Sequence, residues 1–247
     1  MKRVVALAML LALPATAWGQ SLVQRVAGLR DGTLRLSFAA REGVCGNGGH
    51  GFNVANKSDE WVGDCDRGPV RVSLQVRGGR LTDATTYVGG RWRQPAASVT
   101  DLGMLSAPRA AGELLSLAEQ TSIDAGPLIT AATLADSAVV WPTLLRLARR
   151  SSLRLETRRQ AVFWLGQAAG EAATRGLDSL ATDDGGELEV RKQAVFALSQ
   201  RPDDEGVLPL IHIARTSPHP EIRKTALFWL GQSGDPRALA LFEEILH

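Results

Sequence analysis

The spacing of the hydrophobic residues changes near position 105. Before that point apolar and polar residues alternate in 34–38, 70–76 and 81–87, and a period of two is typical of strands with one buried face. Gly78-Gly79 separates the second and third runs and suits a two-residue hairpin turn, because glycine tolerates positive φ. We therefore predict a small β-rich domain of about four to six short strands over residues 20–105.

After residue 105 the spacing becomes helical. Ser106-Ala107-Pro108 and Asp235-Pro236 predict helix starts, since Ser and Asp cap free N–H groups and Pro is tolerated in the first turn. Leu114 to Ala118 is echoed by Leu144 to Ala148. We predict a half-repeat at 106–120 followed by about four helix pairs. The predicted fold class is α+β with several domains, in which a β-rich domain precedes an α-solenoid over residues 106–247.

The helical part repeats one phrase. Residues 159–167, 192–200 and 224–232 read RQAVFWLGQ, KQAVFALSQ and KTALFWLGQ, so that Ala161, Ala194 and Ala226 recur after 33 and 32 residues. A period in the low thirties marks stacked supersecondary units. In each unit we name the helix with the phrase A and the next helix B. One pair of helices cannot cover its apolar side, so stability depends on the neighbouring units.

The repeats carry a resemblance to a known family. The pattern Glu-x-Arg-Lys-x-Ala-x-x-x-Leu-Gly-Gln, present in 221–232 and in 189–200 with Ser199 in place of Gly, resembles the HEAT-repeat family. It is similar to the short repeats of phycobilisome lyases, over roughly residues 106–247. The resemblance implies a scaffold or adaptor that binds another protein, although a minority of short-repeat members are lyases or hydroxylases with added catalytic residues. The β-rich region resembles no family that we can name.

The N-terminus predicts export. Lys2-Arg3 precedes an apolar run at 4–13, and the small residues at 15–19 suit signal peptidase, so we predict a signal peptide at 1–19. The run is shorter than the roughly 20 residues that span a bilayer, although a retained anchor helix is the alternative. We expect a periplasmic or secreted protein with no membrane insertion after cleavage.

Two cysteines, Cys45 and Cys65, lie in one Gly-rich stretch. In an oxidising compartment such a pair is most simply a disulfide. A metal site with His50, Asp64 and Asp66 is the alternative, but the Cys-x-x-Cys spacing of zinc sites is missing. We predict a disulfide, no metal and no cofactor.

Charge and motifs argue against two classes of function. The chain has 28 basic and 26 acidic residues, and removal of Lys2 and Arg3 brings the balance to zero. Nucleic-acid binding would need clustered basic residues, so we expect a protein partner and no nucleic acid. The sequence contains no Gly-x-Ser-x-Gly, His-Glu-x-x-His or Walker motif. We predict that the protein is not an enzyme, and the oligomeric state stays open.

The phrase places aromatic residues away from the core. At about 100° per residue, Phe196 lies opposite Ala194 and Leu198 on the helix. Its equivalents are Phe163 and Phe228. These phenylalanines are candidates for partner binding through an exposed apolar strip, but lateral packing between A helices is the favoured explanation. The same projection points Trp164 and Trp229 inward or between helices.

The B helices offer a second candidate surface. Their partner-binding candidates are the basic residues Arg146, Arg149, Arg175, His212 and Arg215. A solvated face of mixed charge is the commoner explanation. A different class of function also remains open: an exported enzyme or small-ligand-binding protein with a site at the junction of the two parts, using the loop Gly46 to Gly51.

Overall fold

The computed structural model describes residues 19–49, 52–54, 65–94 and 97–246. Apart from residue 19, the predicted signal peptide lies outside these ranges, and so do His50, Gly51 and Asp64. The N-terminal part contains strands β1 (Asp31–Phe38), β2 (Val44–Gly46), β3 (Phe52–Val54), β4 (Val70–Arg77), β5 (Arg80–Val88) and β6 (Val99–Met104), preceded by helix α1 (Leu22–Gly28).

Helices follow to the end of the described chain. They are α2 (Ala107–Ala118), α3 (Gly126–Thr133), α4 (Trp141–Arg149), α5 (Leu155–Gly166), α6 (Glu171–Ala181), α7 (Leu188–Ser199), α8 (Val207–Thr216), α9 (Pro220–Ser233) and α10 (Pro236–Leu246). A strand-rich region followed by a helical repeat region confirms the predicted α+β class.

The described strands form a sheet in the order β5-β4-β1-β6 and a separate β2-β3 ladder. Strand β4 is antiparallel to β1 and β5, whereas β6 is parallel to β1. The predicted hairpin turn is confirmed, since Gly78 and Gly79 join β4 to β5 with φ of 56° and 73°. Such positive φ values favour glycine.

The prediction of strand periodicity from residue 20 onward is wrong at its start, where α1 forms. The Ser21 hydroxyl accepts from the Gln24 N–H, and the Ser21 N–H donates to the Gln24 side chain. This reciprocal pair is a capping box, which nucleates a helix in the local sequence. The Ser106 prediction is also corrected: Ser106 stands at the N-cap of α2, but its side chain makes no capping hydrogen bond.

The apolar face of the sheet packs against the first helices. Its fully buried residues include Leu36, Phe38, Val72 and Leu74, and α1, α2 and α3 contact the strands or each other beneath them. The buried cluster continues from the sheet into the solenoid. The expected boundary at residue 105 therefore separates two periodicities, while the hydrophobic core runs across it.

The helices after the sheet stack in two rows. Helices α3, α5, α7 and α9 contact one another in sequence and form the A row, while α2, α4, α6, α8 and α10 form the B row. Within the described residues this gives a first B helix, α2, followed by four A–B pairs. The phrase leucines Leu165, Leu198 and Leu230 lie buried between the rows.

A disulfide joins Cys45 and Cys65, whose Cα atoms are 5.3 Å apart. The bridge spans 20 residues of sequence, and closing such a loop stabilises a fold by about 3 kcal/mol in the chain-entropy account. Gly46 and Asp66, which follow the two cysteines, exchange backbone hydrogen bonds of 3.0 and 2.9 Å. The bridge and this pair join the two ends of the loop, and the Gly48 N–H donates to the Val88 carbonyl at the end of β5.

Candidate functional site

Recurring arginines connect the repeats to one another. Each A helix that carries the phrase has an arginine three positions before the phrase alanine: Arg158, Arg191 and Arg223. Arg158 Nε donates to the Ala148 carbonyl at 3.0 Å, and Arg191 Nε donates to the Ala181 carbonyl at 3.1 Å. These carbonyls belong to the last turns of α4 and α6, where a cation complements the helix dipole. The arginines thus fasten each A helix to the preceding B helix.

Sequence reasoning missed this role, because arginine is rarely fully buried without partners. The sequence did contain one signal for this role: an arginine recurs at the same position of three repeats. Arg201, which the spacing does place on the core side, is buried and donates to the Gly166 and Gly170 carbonyls and to Glu205. Arg201 therefore supplies hydrogen bonds to backbone carbonyls at and just after the end of α5, as Arg158 does at the end of α4.

The aromatic candidates lie along the outer side of the A row. We name Phe163, Phe196, Phe228 and Trp229 the A ridge. Phe163 is 38% exposed and Phe228 is 57% exposed, as the helical projection places them. Phe196 is half-buried, and its ring centroid lies 4.9 Å from that of Trp229 on the next A helix. The ridge thus combines packing between α7 and α9 with open apolar surface.

The two tryptophans of the phrase point between helices. Trp164 is buried, and its indole N–H donates to the Thr130 hydroxyl on α3 at 3.1 Å. Trp229 is half-buried against Phe196 on α7. Each tryptophan therefore covers the A helix that precedes its own.

The basic candidates of the B row contact neighbouring side chains. Arg146 pairs with Glu119 at 2.7 Å, next to the end of α2. The pair Arg215 and Glu244 joins α8 to α10, and Arg149 donates to a serine hydroxyl on α6. Arg175 pairs with Glu171 one turn earlier on the same helix, at 2.9 Å. Arg146, Arg149 and Arg215 therefore connect neighbouring helices of the B row, whereas the Arg175 pair lies within α6.

The remaining B-row candidate, His212, is exposed on α8. Its charge interacts with Asp178 on α6. Burial raises the pKa of Asp178 above its ordinary value, and His212 opposes this shift. Asp178 Oδ1 is buried and makes no hydrogen bond within the described part of the chain.

The last units of the solenoid match a known family of repeats. Residues 184–247 match the family model of HEAT repeats. This HEAT-repeat segment contains α7 to α10, and therefore Phe196, Phe228 and Trp229 of the A ridge. HEAT repeats generally mediate protein–protein interactions and are typically scaffolds without enzymatic activity. No curated protein matches the chain in sequence.

The loop Gly46 to Gly51 is the candidate site of the alternative function. In its described part, residues 46–49, it does not resemble an anion-binding loop. The Gly46 and Gly48 N–H groups donate to the backbone carbonyls of Asp66 and Val88, and the Gly49 N–H donates to the Asn47 side chain. Amides that already have partners offer little to an anion. Asp66 is exposed. Among the described residues, no cluster of three or more His, Cys, Asp or Glu side chains could hold a metal ion.

Proposed function

We propose that this protein is an exported adaptor that binds another protein through the A ridge. The observation that carries the proposal is the exposure of Phe163 and Phe228 at equivalent positions of two A helices. Large aromatic side chains dominate binding energy when a partner buries them. The basic residues of the B row, in contrast, already contact acidic or polar neighbours.

The HEAT-repeat segment supports a protein partner, because interaction with proteins is the general role of such repeats. It extends only from residue 184, and Phe163 lies before it. The continuous row α5, α7 and α9 therefore supplies the argument for a surface longer than that segment.

Two features support export. The first is the predicted signal peptide at 1–19, and the second is the Cys45–Cys65 disulfide, which persists in oxidising compartments. In the described ranges, none of the helices has the length and apolarity that a membrane crossing needs.

The test compares the A ridge with an equally apolar surface of the B row. The mature protein and a Phe163→Ser/Phe228→Ser double variant are used to capture partners from an envelope extract of the native host. The matched control is Leu208→Ser/Leu239→Ser, which removes two B-row leucines of 61% and 58% exposure. We expect the phenylalanine variant to lose its captured partner and the leucine variant to retain it.

Circular dichroism of the three proteins shows whether the variants remain folded. Retention of the same partner by a folded phenylalanine variant rules out the A ridge as the binding surface. Equal loss in both double variants shows dependence on general apolarity and contradicts the proposal as well.

A further inference from the structure

A second feature lies where the sheet meets the solenoid. A cavity of about 410 Å³ opens between the end of β1, the turn after α3, the start of α4 and the end of α5. Its walls include Arg41, Thr133, Trp141, Trp164 and Gln167. The volume falls in the range of about 300–1,000 Å³ that small-molecule sites occupy. The cavity contains no residue of the Gly-rich loop and none of the A ridge.

Arg41 gives this cavity an uncompensated positive charge. Its Nε atom is buried and makes no hydrogen bond in the described residues. Burial lowers the pKa of Arg41, yet a guanidinium stays charged at neutral pH. None of the ion pairs formed by the described residues includes Arg41. A partly buried charge without a partner is costly, so an anion in the cavity would relieve that cost.

The backbone holds Arg41 in place. The Arg41 N–H donates to the Leu134 carbonyl at 2.8 Å, and the Asp136 N–H donates to the Ala39 carbonyl at 3.0 Å. Anchoring the end of α3 would be a purely structural role for this residue. The backbone N–H of Arg41 already performs it, however, and the side-chain Nε has no part in that contact.

The other walls suit an organic anion. The cavity reaches Val140 and Trp141 at the start of α4, where Val140 makes no side-chain cap. The start of α4 contributes the positive end of its helix dipole, while Pro142 has no N–H and the Thr143 N–H donates to the Val140 carbonyl at 3.1 Å. Trp164 already uses its indole N–H on Thr130, so its ring supplies apolar surface. At the rim, Ser137 has a φ of 54°, which is strained for a residue other than glycine.

We propose that this cavity binds a small aromatic carboxylate, with the carboxylate on Arg41 and the ring against Trp141 and Trp164. The inference is independent of the proposed adaptor function, since the two sites share no residue. The same chemistry could come from a free aromatic acid or from the C-terminal residue of a polypeptide.

The experiment is calorimetric titration of the mature protein with phenylacetate, phenylacetamide and phenethylammonium. We expect phenylacetate to bind, the neutral amide to bind roughly tenfold more weakly because it lacks the charge that pairs with the guanidinium, and the cation to show no binding. Acetyl-Gly-Phe with a free carboxylate, compared with its amide, distinguishes the sources. Tighter binding of the peptide acid than of phenylacetate assigns the site to a chain terminus, and the reverse assigns it to a free acid.

Two pairs of variants locate the site. Arg41→Gln is expected to weaken phenylacetate binding about tenfold, whereas Arg67→Gln, in the neighbouring cavity that also contains Arg41, leaves it unchanged. Val139 is 76% exposed at the rim, so Val139→Glu places a competing carboxylate there with little risk to folding. It should weaken binding, and Val139→Gln should not.

The Val139 pair decides the question if Arg41→Gln fails to fold. The proposal is overturned if wild-type protein does not bind phenylacetate, if the amide binds as well as the acid, or if Arg67→Gln has the larger effect.

Discussion

Helices α5 and α9 carry nearly the same phrase in different surroundings. Both contain Phe-Trp-Leu-Gly-Gln, but Trp164 on α5 is 9% exposed while Trp229 on α9 is half-buried. The phenylalanines differ in the same direction, at 38% and 57% exposure. Helix α5 lies between α3 and α7, whereas α9 contacts only α7 within the described A row.

The difference separates what the phrase determines from what the neighbours determine. In both helices the leucine is buried and the phenylalanine points outward, so the phrase sets the rotation of each helix. The exposed fraction of the phenylalanine is smaller where another A helix follows, whereas each tryptophan lies against the preceding A helix. Phe228 on α9 is therefore the most exposed side chain of the A ridge, and three predictions test this account.

The largest expected effect concerns the tryptophans. Trp164→Ala should lower the free energy of unfolding by about 4 kcal/mol, because it empties a buried site and leaves Thr130 without its indole donor. Trp229→Ala should cost about 2 kcal/mol, since that ring is only half-buried. Urea denaturation followed by circular dichroism measures both. Equal losses for the two variants would contradict the expectation that the more buried ring contributes more to stability.

These features differ in how well the sequence predicts them. The outward phenylalanines and the tryptophans between helices follow from the helical projection, because an α-helix has a regular period. The hairpin at Gly78-Gly79 follows from local turn chemistry. The half-burial of Phe196 does not follow, since it depends on Trp229, which lies 33 residues later in the sequence and on another helix.

The second prediction concerns the arginines between rows. Arg158→Met keeps an apolar side chain but removes the donor to the Ala148 carbonyl, and it should cost about 2 kcal/mol because that acceptor is buried. Arg223→Met should cost less than about 1 kcal/mol, since Arg223 is only half-buried and water can replace it at Ser217. The control Arg159→Met alters an exposed residue with an i,i+3 pair to Glu156 and should change stability little. A small loss in Arg158→Met would contradict a fastening role.

The burial of Arg158 and the Arg41 cavity were beyond sequence reasoning for a common physical reason. Both depend on groups that come together only after the helices stack: the end of α4 for Arg158, and the ends of α3 and α5 for Arg41. The hydrophobic periodicity of a sequence predicts which side of a helix is apolar. It does not predict which end of another helix will lie next to a given side chain.

The smallest effect, opposite in sign in the two helices, concerns the glycine of the phrase. A Cβ at Gly166 would stand 3.0 Å from the Ala197 Cβ on α7, whereas a Cβ at Gly231 would stand 3.8 Å from its nearest neighbour, Phe242. Gly166→Ala should therefore force α5 and α7 apart and lower stability by about 1 kcal/mol. Gly231→Ala should raise stability by about 0.5–1 kcal/mol, because alanine favours the helix and meets no obstacle.

The shift of the urea midpoint at constant slope measures both changes. A stabilising shift in both variants would mean that α5 and α7 can separate without cost. Gly166 would then not be needed for close packing of α5 against α7. The inner and outer A helices would differ only in the burial of their aromatic rings.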